Sequence, residues 1–344
     1  MISFKEFSRF LLKRIVGSAG ALLGVVVIVF LISHALTPNP ARLWAGPRAR
    51  PSTIAAVTAR YHLDQPIMVQ FYYFLLDLFS GNMGIDPLTG QTILSEIAFY
   101  FPNTLELVLT AMVMIVILGI GLGYYSGMNF SRPLDSMIRV FYLLSWSMPT
   151  FLGAMVAILA FSTYVHIFPS GGMYSLTLPP PTKVTGIFIL DSLLGGELSQ
   201  FVSGVYHLIL PSAALAVLDF GLITRVARSS ILNTRWSPHV KAARARGVPE
   251  KDVRVRHILR NSLIDTNTMV AVMFGWILGD TVVVEALFSW PGIGNFAYQT
   301  ILANNYPVLI PIVLVFTAAV ITANFAADAF YSILDPRIAL GESK

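Results

Sequence analysis

Cysteine is absent from this sequence of 344 residues. Disulfides, thiolate metal sites and cysteine nucleophiles are thereby excluded. Charge is also scarce: Asp, Glu, Lys and Arg make up 12% of the residues, about half the share of a soluble domain. There is no G-x-x-x-x-G-K-[ST] loop and no Gly-Lys pair anywhere, so the usual cradle for ATP phosphates is missing. The six histidines (His34, His62, His166, His207, His239, His257) show no ligand spacing, and no serine stands with a paired base in a recognisable motif. Metal-dependent and hydrolytic chemistry find no support in the residues, and the reading is of a chain that is not itself an enzyme.

What is abundant is apolar length: 55% of the residues are hydrophobic. Six runs, near 14–36, 103–128, 138–167, 207–228, 266–288 and 309–333, are long enough to cross about 30 Å of hydrocarbon at about 1.5 Å per residue. They predict an all-α membrane protein with six transmembrane helices. The first run follows Lys5, Arg9, Lys13 and Arg14, as a signal peptide would. It is too long for a cleaved apolar region and lacks a clean small-residue cleavage site, so a retained helix is expected. The stretch Ile67 to Ser80 is apolar but too short to span, and it contains Asp77. Asp64 as N-cap, Pro66 in the first turn and Gly81 as a stop predict a helix lying on the membrane surface or the bundle. Residues 168–206, rich in Gly and Pro, read as a folded insert. The chain thus divides into residues 1–36 (N-terminus and first span), an external segment 37–102, and a core 103–344.

Basic residues set the orientation. With the N-terminus inside, 18 of the 23 Lys and Arg fall on the cytoplasmic side; only Arg42, Arg48, Arg50, Arg60 and Lys183 lie outside. The positive-inside bias therefore predicts that both termini are cytoplasmic. Gly119, Gly123 and Gly127 recur every four residues on the second span, as do Gly20/Gly24 on the first and Gly275/Gly279 on the fifth. Such spacing lets helix backbones approach closely, within one bundle or against a partner subunit.

Ten of the Lys and Arg lie between Arg225 and Leu263, eight of them in the loop 229–265 between two spans. Ser237-Pro238 reads as a helix start, Gly247 as its stop, and Pro249-Glu250 as a second start. The expectation is two short helices joined at a glycine, the second carrying Val253, His257 and Arg260 along one side. Ala242, Ala243 and Ala245 keep the first helix slim enough to enter a cleft. A DNA-binding helix-turn-helix is disfavoured, because the unit is tethered at both ends and lacks a core, so no nucleic-acid partner is expected. Contact with anionic lipid explains the charge but not the Ala-Ala-x-x-x-Gly spacing.

The residues Lys241-Ala242-Ala243-Arg244-Ala245-Arg246-Gly247 resemble the "EAA" loop of ABC importer permeases. The resemblance continues through Arg256–Leu263, Val284-Glu285-Ala286-Leu287-Phe288-Ser289-Trp290-Pro291-Gly292-Ile293-Gly294, Asn305-Tyr306-Pro307 and Leu334-Asp335-Pro336-Arg337-Ile338. Upstream, Leu63-Asp64-Gln65-Pro66, Gly81-Asn82-Met83-Gly84 and Ser147-Met148-Pro149 fit as well. Together these motifs resemble the peptide/nickel/oligosaccharide permease family along nearly the whole chain. The stretch Thr185–Asp191 with His207–Pro211 is similar to its dipeptide type. Three positions depart from the pattern: Lys241 stands where the general motif has Glu, Asp265 where relatives usually have Pro, and Asp219 in a span position usually uncharged.

The resemblance implies a transport subunit in the cytoplasmic membrane of a prokaryote. A second homologous permease would complete the path, and two ABC ATPase subunits or domains would carry ATP and Mg, this chain holding no cofactor. An external binding protein would deliver di- or oligopeptides, with oligosaccharides as the alternative. The coupling residues implied are Lys241, Ala242, Ala243, Arg244, Ala245, Arg246, Gly247 and Glu250. A self-sufficient carrier or channel would be expected to show inverted repeats and broken midplane helices, and neither is evident in the sequence. Candidates for the path or gate are Ser145, Ser147 and Pro149, which place polar groups and a break in the third span, together with Asp219, Asp280 and Glu285. Helix packing is the alternative for the first three. For Glu285 it is a structural contact with Trp290 and the following loop, and for Asp219 it is protonation or a hydrogen bond to a neighbouring helix. Asp328 and Asp335 flank the last exit, where a capping or surface role is expected.

Overall fold

The computed structural model describes residues 4–35, 39–46 and 49–334, and every regular element among them is helical. Helix α1 (Phe4–Phe30) ends in a π-helical turn, Leu31–Ala35, and is followed by the short helices α2 (Pro40–Ala45) and α3 (Pro51–Arg60). Helix α4 (Ile67–Phe79) matches the short apolar stretch. It lies against the bundle, packing Phe71, Phe74, Leu75 and Leu78 on Val26 and Val29 of α1. Gly81 has φ +73, and Asn82 N–H donates to the Asp77 carbonyl at 2.9 Å, closing the helix as expected. The start differs from expectation. Pro66, not Asp64, occupies the capping position, and no side chain caps it. Its extended backbone turns the Pro66 carbonyl toward Val69 N–H (2.8 Å), while the Gln70 amide clasps the approach through Leu63 and Gln65 carbonyls.

The bundle follows. It comprises α5 (Ile93–Met128), the bent pair α6 (Pro133–Ser147) and α7 (Thr150–Ala157, extended by π-helical Ile158–Tyr164), α8 (Phe188–Leu194) in the insert, α9 (Leu198–Arg235) and α10 (Pro238–Ala245). Then come α11 (Glu250–Asp252), α12 (Arg260–Leu287), α13 (Ile293–Leu302) and α14 (Tyr306–Leu334). Among the described residues, five helices are long and apolar enough to span, and the α6–α7 pair makes a sixth pass when counted as one.

The expected third span, 138–167, is not continuous: α6 and α7 meet at 107°. Pro149 lacks an N–H and forces Met148 out of the helical region (ψ 127), so the hydrogen-bond ladder stops at Ser147. The second and fourth spans are longer than expected. Helix α9 has 38 residues, about 57 Å, well beyond the hydrocarbon thickness. The second helix of the basic segment is not separate either. From Glu250 the chain runs through the π-helical stretch Val253–Leu259 directly into α12; Val253 and Ile258 are buried, His257 is half-buried and Arg260 is exposed. A π-helix bonds i to i+5, which brings residues five apart onto one side.

Helices α5 and α9 form the central pair. A Cβ on Gly123 would stand 2.6 Å from that of Ala227, and Gly119 and Gly127 press on Ile223 and Ile231 in the same way. The small-residue stripe of the second span is thus consumed within the bundle. Around it packs the main core, including Leu107, Ile115, Leu215, Ile277, Leu278 and Trp290. A Cβ at Gly20 or Gly24 of α1 would find nothing within 4 Å among the described residues. Passes alternate in direction: α5 and α9 end together at Ile231, Val240 and Met128, while Ile93 and Ile97 meet Ile293 and Val308 at the opposite end.

Candidate coupling segment and path

Ser237 precedes α10 in an extended conformation, as expected of an N-cap, but its hydroxyl donates to the Thr234 carbonyl (2.6 Å) and does not cap. Helix α10 is held from below. Val240 and Ala243, three residues apart, are wholly buried against Ile231, Val253 and Ile258. The remaining coupling candidates Lys241, Ala242, Arg244, Ala245 and Arg246 are exposed. The small outward residues, Ala242 and Ala245, leave a slim face flanked by cations.

The helix ends in a Schellman turn. Val248 N–H donates to the Ala243 carbonyl (3.2 Å) and Gly247 N–H to that of Arg244 (2.9 Å). Gly247 has φ +77, a left-handed geometry that glycine adopts without a steric penalty. Glu250 binds across this turn: Arg244 Nε and Nη2 donate to its two carboxylate oxygens at 3.1 and 3.0 Å. That bond, outweighing desolvation, pushes the Arg244 guanidinium pKa above its ordinary value. Arg254 adds a contact from the next turn (3.3 Å). Glu250 therefore braces the angle between α10 and the helix that becomes α12.

Two further clamps join this end of the bundle; sequence reasoning named Asp265 as a departure from the family pattern but neither contact. Arg228 of α9 grips Asp135 of α6 with Nε and Nη2 at 2.7 and 3.0 Å, and Ser126 of α5 donates to the same carboxylate at 2.5 Å. The only sequence signal was a carboxylate in the first turn after Pro133 facing the arginine-rich exit of a span. Asp265, a departure from the family pattern, accepts from Ser230 at 2.6 Å and ties α12 to α9.

The path candidates divide. Asp219 is buried in α9, and its Oδ2 has no hydrogen-bond partner among the described residues. Asp280 on α12 is the neighbouring carboxylate. Thr150, the first residue of α7 after the break, stands close to Asp280. Asp219, Asp280 and the Pro149 break therefore converge on one place. Ser145 is buried; Ser147 and Pro149 are exposed, the Ser147 hydroxyl donating to the Leu144 carbonyl at 2.9 Å.

Glu285 lies elsewhere and has a different setting. It is wholly buried, accepting from Thr104 Oγ1 (2.7 Å) and Asn295 N–H (3.0 Å). Thr104 Oγ1 also accepts from Ile293 N–H, and Trp290 Nε1 donates to the Asn103 carbonyl at 3.0 Å. The carboxylate is the hub that folds residues 289–295 onto α5. This geometry is that of the structural contact with Trp290 and its loop, and no carboxylate oxygen faces outward. Asp328 falls within α14, and Asp335 lies outside the described residues.

In the insert, Asp191 gathers Thr185 N–H and Oγ1 and Gly186 N–H (2.6, 2.7 and 3.0 Å). Glu106 of α5 receives Ile189 N–H at the start of α8 (2.7 Å). Asp191 thus closes the insert on itself, and Glu106 fastens it to the bundle.

Comparison with known proteins bears on the whole chain. Residues 115–340 match the family described as binding-protein-dependent transport system inner membrane component, and residues 7–112 match that family's N-terminal region. The probable D,D-dipeptide transport system permease protein of Escherichia coli is 36% identical over 97% of this chain and 98% of its own length. The dipeptide transport system permease protein of Alkalihalophilus pseudofirmus is 31% identical over 95% and 98%. The glutathione transport system permease protein of Salmonella typhimurium is 32% identical over 96% and 98%. With the helical bundle, its apolar spans and both family matches in hand, the chain belongs to the inner-membrane permeases of binding-protein-dependent ABC importers, in their peptide family.

Proposed function

We propose that this chain forms half of the translocation path of an ATP-driven importer of short peptides and receives the ATPase stroke through α10. One observation carries the reading: α10 is anchored by Val240 and Ala243 while presenting Ala242 and Ala245 between cations at the end of the bundle. A rigid, slim helix braced by Glu250 onto α12 is built to be pushed. Movement of α10 would pass through α12 to Asp280 and the α7 break. The basic segment then lies in the cytoplasm with both termini, in accord with the distribution of Lys and Arg. Two ATPase subunits would hold ATP and Mg, a second permease would close the path, and an external binding protein would supply substrate. The relatives named for dipeptides and glutathione favour a peptide over the oligosaccharide alternative.

Ala245→Cys in this cysteine-free chain tests the coupling. In the assembled complex it is expected to cross-link to an ATPase subunit through a short bis-maleimide. An active complex that never yields this product overturns the coupling role. Mass spectrometry of the ligand that co-purifies with the binding protein tests the substrate class, and an oligosaccharide there would overturn the peptide assignment.

A further inference from the structure

At the end of the bundle away from the basic segment, α1, α2, α4 and α14 enclose a chamber of about 40 Å³. Its walls are aromatic: His34 and Trp44 lie 5.6 Å apart between ring centroids, Trp44 and Tyr61 4.9 Å, and His34 and Phe74 5.7 Å. Two buried polar atoms belong to residues lining it and have no partner: the Trp44 Nε1–H donor and the Gln70 Oε1 acceptor, on side chains more than nine-tenths buried. The Gln70 amide nitrogen is already committed to the Leu63 and Gln65 carbonyls, which leaves Oε1 to a ligand. Asp77 adds a carboxylate, one oxygen of which accepts from Asn82.

The chamber is not closed below. Leu78, Met83 and Leu314 line both it and a second, apolar cavity of about 540 Å³ that follows α1, α4 and α14 along the first span. Gly20 sits on that cavity, and a Cβ there would meet nothing within 4 Å. From Gly20 to His34 is about 21 Å of helix, more than the depth of one leaflet. His34 closes the apolar span, so the chamber stands at headgroup level and the groove at acyl-chain level.

We propose that this seam holds one aminophospholipid, its primary ammonium in the chamber and an acyl chain in the groove. The chemistry selects the headgroup. Asp77 and the ring faces attract a cation, and Gln70 Oε1 requires an N–H, which a primary ammonium supplies and a quaternary one does not. Trp44 N–H donates to a phosphate or ester oxygen of the same lipid. At about 10–15 Å³ per water-sized probe, the chamber takes an ammonium with its adjoining carbon and excludes a bulkier headgroup.

The test uses the assembled transporter in nanodiscs with equal phosphatidylethanolamine, phosphatidylcholine and phosphatidylglycerol of identical chains, read by native mass spectrometry. Phosphatidylethanolamine is expected to be retained about tenfold over the other two, the ratio for one charge-assisted hydrogen bond. Asp77→Asn with Gln70→Leu should retain lipid without that preference. Gly20→Phe should lose it altogether, and Leu23→Trp blocks the same wall should the first variant fail to assemble. Equal retention of the three headgroups by the unaltered protein overturns the proposal, as does undiminished retention in both groove variants. The competing occupant is the second permease: a benzophenone side chain at Gly20 that cross-links to protein and not to lipid also overturns it.

Discussion

Gly247 and Asp219 show how single residues concentrate consequence in this chain. Gly247 closes α10 with φ +77 and open space around it, so a substitution there strains the backbone and fills no void. Gly247→Val is expected to cost about 1 kcal/mol or more locally, since a β-branched residue resists the left-handed region. Stimulated ATPase activity of the assembled transporter should fall while the binding protein still docks with unchanged affinity; normal stimulation would show that the turn is not part of the lever. Asp219 has the opposite problem, a buried carboxylate oxygen with nothing to bind. Asp219→Asn keeps shape and removes charge. Under the proposed path role, peptide uptake is expected to drop severalfold with basal ATPase and thermal stability intact, because the variant loses the carboxylate's attraction for a cationic substrate group; an unsupported charge at that depth costs about 2.5 kcal/mol or more. Unaltered uptake kinetics in that variant would remove the substrate role.

At the scale of elements, two joints decide the architecture. The α5–α9 pair depends on glycine at the crossing. Gly123→Leu puts a side chain where Ala227 Cβ and the Thr224 carbonyl already stand 2.6 and 2.9 Å from a bare Cβ. The helices must separate, and the complex should lose assembly, seen as loss of the monodisperse peak in size-exclusion chromatography. Gly121→Leu, with nothing within 4 Å, should assemble normally. The second joint is Glu285 with residues 289–295. Glu285→Ala strands the Thr104 hydroxyl and the Asn295 N–H inside the protein. At about 1–3 kcal/mol for each orphaned group, a loss of roughly 3 kcal/mol is expected, read as a lowered Tm with folding otherwise cooperative. A Tm within about a degree of the original, against the several degrees such a loss implies, would show that the loop is held by its apolar contacts alone.

For the whole molecule, the prediction is sidedness. Alternating passes place Ala245 and Leu88 at opposite ends of the bundle, both on exposed surface. With no native cysteine, Ala245→Cys and Leu88→Cys can be probed singly in intact cells. A membrane-impermeant maleimide should label Leu88→Cys from outside and reach Ala245→Cys only after the membrane is opened. The reverse pattern would invert the topology and with it the coupling role of the basic segment.

Much of this was legible in the residues. Span number, the surface position of α4, the stop at Gly81 and the turn at Gly247 follow from local rules: apolar length, the left-handed tolerance of glycine, the missing N–H of proline. Those rules act within a few residues, so a linear reading reaches them. It did not reach the 107° angle between α6 and α7, because Pro149 ends a helix but neighbours choose where the next one goes. Nor did it reach the continuation of Glu250 into α12, where burial of Val253 and Ile258 on one side favours the π-turn. Glu285 and Asp219 make the contrast plain. Both are carboxylates on long apolar helices, yet one is saturated by Thr104 and Asn295 and the other has an oxygen left orphaned near Asp280. The sequence by itself determined the helical membrane class and the family, since hydrophobic length and ordered motifs are properties of the chain. Only the tertiary structure decided which carboxylate is structural, that Arg228 clamps Asp135, and that α1 leaves a seam beside α4, because burial and hydrogen-bond partners come from residues far apart in sequence.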